Sequence, residues 1–235
     1  MSEETQKRQR DESLKQMEAF WHLPLPPAFR TLYTRLPEPF LAPCEFYPLR
    51  LIVQGSGRLF GGLPQFLPFG RLVGEGGFYG FYVTPQTEQG ALPVVYWDED
   101  EMYLRPIASS FEAFIRHCLL VGRYEVETSW EDAGGDWHED EEIRNILRLL
   151  NLPLQLLEDP LPRNDTELHE RIVRFDPQNA TSLCHLGCMS RSRGNYEHAL
   201  DFYYRASEAV PWMGDCAYLV ADIYREKNQP ERSEE

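Results

Sequence analysis

Twenty residues in the middle of the chain decide how the rest can fold. The stretch RYEVETSWEDAGGDWHEDEE, residues 123–142, holds nine acids and one base, a net of −8. The whole chain of 235 residues carries a net of −15, so more than half of the excess sits there. So many carboxylates cannot leave water without partners. Gly134-Gly135 breaks helix and strand periods alike. The stretch therefore reads as an acidic linker or loop, and the two sides of it are patterned differently.

The N-terminal side mixes helix and strand signals. Leu14, Met17 and Trp21 recur at helical spacing. Pro26-Pro27 then opens a second helix, where a fixed φ and a missing N–H do no harm. Its apolar face is Phe29, Leu32, Tyr33 and Leu36, and Pro37 and Pro39 stop it. A run rich in Gly, Pro and aromatics follows. The strand candidates are Tyr47–Val53, Phe78–Val83, Pro93–Trp97 and Tyr103–Ile107, with a hairpin loop near residues 84–91. Ser109 and Glu112 have capping-box spacing. Phe111, Phe114, Ile115, Cys118 and Leu119 then form a strong helical stripe. Helices around a strand run indicate an α+β domain.

The C-terminal side is helical throughout. Ile143, Ile146, Leu147 and Leu150 form one stripe, ended by Pro153. Asn164 and Glu167 have cap-to-N3 spacing ahead of Leu168, Ile172 and Phe175. Helices are expected over Ala180–Arg193 and Tyr196–Ala209, separated by Gly194-Asn195, and over Asp215–Lys227.

Composition narrows the function. Hydrophobic residues are 42% and charged residues 26%, so the chain can bury a core. A net charge of −15 repels phosphate backbones, which argues against nucleic acid and for a basic protein partner. The start MSEETQKRQRDE lacks the apolar stretch of a secretory leader. No run of about 18 apolar residues could span a membrane. Five cysteines, an odd and mostly scattered set, do not suggest a disulfide framework. The expectation is a cytoplasmic chain with reduced thiols.

Catalytic and metal motifs fare poorly. Gly74-Glu75-Gly76-Gly77 precedes an aromatic β-type run rather than a helix, so close packing explains it better than a phosphate loop. In Cys184-His185-x-x-Cys188 the cysteines share a helix face, but His185 points elsewhere and no second ligand pair follows. Asp136, His138, Glu139 and Asp140 lack the spacing of a calcium loop. His117 adjoins Cys118, which lies on the apolar stripe. There is no G-x-S-x-G and no H-E-x-x-H. No enzyme, cofactor or metal is expected.

What stands out is acid interleaved with aromatic. Trp97, Asp98, Glu99, Asp100 and Glu101 form one such cluster. Trp130, Asp136, Trp137, Glu139 and Asp140 form another. Aromatic anchors and complementary charge are what protein interfaces use. These ten residues are the candidate partner-binding set.

Two resemblances rest on these residues. From Glu12 to Leu120 the order is a short helix, LPLPPAFRTLYTRL, Leu67-Pro68-Phe69-Gly70, a Gly-rich aromatic run, Trp97-Asp98, then Ser110-Phe111-Glu112-Ala113-Phe114. This order resembles the SUKH superfamily, the Smi/Knr type of domain. Gly76-Gly77-Phe78-Tyr79-Gly80 departs from it in lacking a Gly-Asp pair. From Ala180 to Lys227 the chain resembles the tetratricopeptide repeat. With Ala180 as position one, Leu183, Leu186, Gly187, Ala199, Tyr203, Ala206 and Pro211 fall on the repeat's usual positions. Gly187 is expected at the helix crossing, facing Ala199. From Gly214, Ala217, Val220, Ala221 and Tyr224 fit the first helix of another unit.

The resemblances imply an α+β fold. A SUKH-like mixed sheet is flanked by helices and followed by an all-α tetratricopeptide-like region. The expected boundaries are a flexible tail over 1–10, the α+β domain over 11–122 and the acidic linker over 123–142. The helical region then covers 143–228, with a flexible tail over 229–235. SUKH proteins are commonly immunity proteins of bacterial toxin systems. The resemblance thus implies a protein that binds and occludes a basic toxin domain, such as a nuclease. The competing reading is an intracellular adaptor that takes a peptide in the helical repeat.

Overall fold

The computed structural model describes residues 3–36, 39–41, 44–55, 65–72, 76–84, 92–98, 100–129 and 141–227. The chain divides into two compact units. The first is Met1–Arg105 with Ser110–Leu161, and the second is Pro106–Ser109 with Pro162–Glu235.

The first unit opens with α1 (Glu3–Trp21) and α2 (Pro27–Arg35). Residues 3–10 belong to α1, where the sequence reading placed a tail. Pro27 starts α2 as expected. Arg30 fastens the two helices, with Nη2 2.7 Å from Asp11 and Nη1 2.6 Å from Glu18. Strands β1 (Phe40–Leu41), β2 (Cys44–Phe46), β3 (Phe66–Leu72), β4 (Gly77–Tyr82), β5 (Val94–Asp98) and β6 (Tyr103–Ala108) line up in chain order. Helix α3 (Leu49–Gly55) lies between β2 and β3, and α4 (Phe111–Ser129) and α5 (Glu141–Leu149) follow the strands.

Each of β1 to β4 pairs antiparallel with the next, so these five strands form a meander rather than the mixed sheet expected, and β6 lies beside β5. Short connections at β1–β2 and β3–β4 favour this outcome, because a parallel pair needs a long crossover. Two strand readings also change. Tyr47–Val53 is not a strand; most of it is α3, where the amides of Leu51 and Ile52 donate to the Pro48 carbonyl. Leu49 and Ile52 are both buried, at a spacing that fits a helix, and so short an apolar run reads either way. The missed strand is β3, whose Pro and Gly look like breakers. Pro68 is tolerated because the register shifts between Pro68 and Gly70.

That shift makes Phe69 the extra residue of a bulge and sends its ring inward. Phe29, Phe46, Phe81, Phe111 and Phe114 surround it at centroid distances of 4.8 to 5.8 Å. Tyr33 sits fully buried beside them, and its hydroxyl donates to the carbonyls of Tyr47 (2.9 Å) and Phe69 (3.2 Å). Gly77 packs closely, as its sequence context suggests: a Cβ there would lie 2.0 Å from the Tyr96 ring.

The cap of α4 is one residue later than the sequence spacing suggests. Ser110 Oγ accepts from the Ala113 amide at 3.2 Å. The α5 stripe buries Ile143, Ile146 and Leu147. Beyond it, a 3-10 turn at Leu154–Leu157 is held by Arg123, which is itself buried. Arg123 donates to the carbonyls of Leu156 (2.7 Å) and Asp159 (3.1 Å). Residues 143–161 therefore cluster with the first unit, although their pattern groups them with the helices beyond.

The second unit contains α6 (Asp165–Phe175), α7 (Ala180–Ser192), α8 (Tyr196–Ala209) and α9 (Gly214–Lys227). Asn164 caps α6 by accepting from the Glu167 amide at 3.0 Å, as its spacing predicts. Between α6 and α7, Asp176 is buried and takes two donors from Ser109, the amide at 3.0 Å and the hydroxyl at 2.5 Å. Asn179 donates to the Ile107 carbonyl at 2.5 Å, and Thr181 donates to the carbonyl of Pro106. Ser109 is thus spent on Asp176, which is why Ser110 caps α4.

Gly194, at φ 75°, ends α7 with bonds from its own amide to Arg191 and from Asn195 to Ser190. Asn195 then caps α8, and the two helices pack together as a hairpin. Gly187 does lie in that contact, where its nearest neighbour is the ring of Tyr203. A Cβ on Gly187 would come within 2.3 Å of the ring. Ala199 and Tyr203 share a core cluster with Ile223 of α9.

The cysteines depart from expectation. Cys184 of α7 and Cys216 of α9 form a disulfide across 32 residues. Helix spacing brings out Cys188, one turn from Cys184, but Cys188 is free and exposed. Only tertiary packing brings Cys216 up to Cys184.

Two substitutions test these cores. Phe114→Ala should destabilise the first unit by about 3–5 kcal/mol, because Phe114 is fully buried among rings. Gly187→Leu should cost the second unit about 1–3 kcal/mol by overpacking against Tyr203. Urea unfolding followed by circular dichroism measures both.

Candidate functional site

The turn between β5 and β6 carries the acidic cluster whose described members are Trp97, Asp98, Asp100 and Glu101. Its conformation is set by Asp98. One carboxylate oxygen, Oδ1, accepts from the amides of Asp100 (3.0 Å) and Glu101 (3.2 Å), a side-chain turn that aspartate forms readily. Met102 follows at φ 53°, an uncommon conformation for a bulky residue other than glycine. Asp100 and Glu101 are exposed, and Met102 is 72% exposed. Tyr103 begins β6 and is also exposed. Two apolar side chains thus stand in water beside carboxylates.

Trp97 is placed differently from the acids beside it. It pairs with Phe78 across β4 and β5 and is only 7% exposed, so its ring supports the turn from within. Next to it, Tyr96 is buried under the Arg105 guanidinium, 5.2 Å from the ring centroid. Trp97 is therefore buried, and the exposed large side chains at this turn are Met102 and Tyr103, which sequence alone does not single out. Their signal was weak: an apolar pair directly after an acidic run. Glu99, Trp130, Asp136, Trp137, Glu139 and Asp140 lie outside the described residues.

Cys44 and Cys118 are fully buried, and burial pushes both thiols up, so neither is an activated nucleophile. In Cys184-His185-x-x-Cys188, Cys184 is spent on Cys216. Among the described residues no group of three or more His, Cys, Asp or Glu side chains could hold a metal ion. None of the described helices is long and apolar enough to cross a membrane.

His185 instead stacks on His169 of α6, with ring centroids 3.9 Å apart. His169 Nδ1 is 3.0 Å from Ser182 Oγ. Burial pulls His169 down to about 4, neighbouring His185 adds to the shift, and Asp165 opposes it. This pair reads as packing between two helices rather than a catalytic centre.

Comparison with known proteins fits the first unit. Residues 10–117 match the model of the SMI1 / KNR4 family (SUKH-1). They are a SUKH-1 domain. The match ends within α4, so it takes in the whole strand run and the acidic turn. The SUKH-1 family is known for immunity-type, protein-binding roles and is generally non-catalytic. No curated protein and no solved structure matches the chain.

The histidine pair gives a pH prediction. The unfolded chain holds a histidine with pKa about 6.5, whereas folded His169 sits at about 4. Between those values the unfolded state binds the proton and the folded state does not. Stability should therefore be full above pH 6.5 and fall as pH drops toward about 4. The loss should be below about 3 kcal/mol, since solvent screens a partly exposed ring. Urea titrations across that window should show it, and His169→Gln should flatten the dependence.

Proposed function

We propose that the chain is an immunity protein that neutralises a bacterial toxin domain by covering it. The observation that carries the reading is the β5–β6 turn, where carboxylates are held in place beside exposed Met102 and Tyr103. Membership of the SUKH-1 family over residues 10–117 supports a protein partner. The net charge of −15 favours a basic one, and a nuclease presents such a surface. Asp98, Asp100 and Glu101 would mimic nucleic-acid phosphates and steer encounter, while Met102 and Tyr103 dock against the partner's apolar surface. The chain itself does no chemistry in this reading.

The acidic stretch that holds Trp130, Asp136, Trp137, Glu139 and Asp140 is a second candidate for contact with the same partner. We place the action in the cytoplasm, where an internal toxin works. Thiol pools there keep disulfides rare, so on this reading the Cys184–Cys216 bond would be reduced in that compartment.

A second reading has its own support. Gly187 against Tyr203, with Ala199 and Ala206 buried, matches the packing positions of a tetratricopeptide unit. On that reading α6–α9 form a tetratricopeptide-like scaffold that presents a surface to a peptide, and the chain is an adaptor.

The test starts from the gene beside this chain's own. If it encodes a toxin domain, one equivalent of the chain should abolish that domain's activity. Neutralising Asp98, Asp100 and Glu101 together, as D98N, D100N and E101Q, should slow association and weaken its dependence on salt. Met102→Ala should speed dissociation instead. Surface plasmon resonance at two salt concentrations separates the two effects. An unchanged association rate in the neutral variant would remove the steering role of the turn and favour the adaptor.

A further inference from the structure

Helix α9 is fastened to the second unit by two buried side chains, Cys216 and Ile223. In its first turn Cys216 is bonded to Cys184 of α7 and buried among Ala180, Leu183, Ala206 and Val210. Two turns on, Ile223 packs with Ala199 and Tyr203 of α8. The other ties lie at or near the surface. Arg191 of α7 bonds Asp222 at 2.6 Å and also Glu226. The Tyr224 hydroxyl lies 3.2 Å from that of Tyr204, and Lys227 lies over the Tyr196 ring. Solvent-screened ties of this kind contribute little. Helices α7 and α8 each pack against a helix on either side, whereas α9 packs chiefly on α8. An element with so few buried contacts is among the first to open locally.

The disulfide is therefore a large part of what holds α9, and its two sulfurs are unequally placed. Cys216 is 1% exposed, whereas Cys184 is only half-buried, so an attacking thiolate meets Cys184 first. Cys188 is exposed one turn further along α7. Side chains four apart on a helix hold their Cβ atoms about 5–6 Å apart, beyond the roughly 3.5–4.5 Å that a disulfide spans. An intact α7 thus leaves Cys216, and not Cys188, as the partner of Cys184.

We propose that Cys184 and Cys216 form a redox latch on α9. As a disulfide they hold the helix against its neighbours. As two thiols they let it open and uncover Ala199 and Tyr203. The oxidant is a small disulfide of the glutathione class. The Cys184 thiol gives up its proton, and its thiolate attacks one sulfur of glutathione disulfide. A mixed disulfide forms and one glutathione leaves. The Cys216 thiolate then attacks the Cys184 sulfur, and the second glutathione leaves. The two cysteines lose two electrons and two protons, and one glutathione disulfide becomes two glutathione thiols. Excess glutathione runs the same steps backward, entering at Cys184. The bond links residues 32 apart, so breaking it frees a long loop as well as the helix. The latch does not rest on the toxin-binding reading.

Hydrogen exchange of the full chain, read by mass spectrometry in oxidised and in reduced glutathione, tests it. Peptides from α9 should exchange at least about tenfold faster in the reduced buffer, and peptides from β3 to β5 should exchange equally in both. Alkylation and peptide mapping should find Cys184 linked to Cys216 in the oxidised buffer and both thiols free in the reduced one. Cys184→Ser and Cys216→Ser should each show fast α9 exchange in either buffer, and Cys188→Ser should keep the wild-type response. The comparison of wild type with itself decides the matter even if a serine variant fails to fold. Equal α9 exchange in the two buffers, while mapping shows the bond opening and closing, overturns the proposal. So does a bond that does not form in oxidised glutathione, one that survives excess reduced glutathione, or a response lost in Cys188→Ser.

Discussion

The first unit depends on one irregularity, the bulge that gives β3 an extra residue at Phe69. A regular strand would alternate its side chains, and a one-residue slip would turn Phe69 to the other face. With the bulge, Phe69 becomes the hub that rings from α2, β2, β4 and α4 contact. Each aromatic pair adds about 0.5–1.5 kcal/mol beyond its burial. Pro68 contributes by lacking an N–H at the position where the ladder is already broken. The Leu-Pro-Phe-Gly segment, which carries the family resemblance, is therefore a packing device. It supports the sheet that sets the β5–β6 turn.

That turn divides labour between neighbouring residues. Trp97 is held inside the sheet and Met102 is pushed out of it, only five positions apart. Between them Asp98 spends one oxygen on two backbone amides, which fixes where the remaining charge points. A turn ordered in this way has little conformational entropy of its own left to lose in any contact. The acids elsewhere are used differently. Asp11, Glu18, Asp222 and Glu226 each pair with an arginine.

What was legible in the sequence is what local chemistry decides. The α4 stripe, Pro27 at the start of α2, the Asn164 cap and the Gly194 break are each fixed by residues within one turn. The α8 limits, Tyr196–Ala209, follow from the same kind of signal. The misreadings share the opposite cause. Whether Leu49–Gly55 is helix or strand, and whether Phe66–Leu72 survives its proline, depends on strands elsewhere. Ser109 looks like a cap until Asp176, 67 residues away, claims it. Cys216 gives no sign of pairing with Cys184 across 32 residues. At the site, the acids were readable, but the sequence could not say that Trp97 faces inward and Met102 outward.

The second unit is discontinuous in the chain, and this bears on how it can be cut. Its helices begin at Pro162, yet four residues from far upstream, Pro106–Ser109, cluster with it. They supply the carbonyls that satisfy Thr181 and Asn179 and the two donors that satisfy buried Asp176. A fragment starting at residue 162 would keep every helix and lose all of these partners. Its α6–α7 corner would then hold a buried carboxylate with its Ser109 donors gone, the costliest kind of orphaned polar group. The helical array is an arrangement that this chain completes with its own earlier residues, and not a cassette that could be transplanted whole from its C-terminal third.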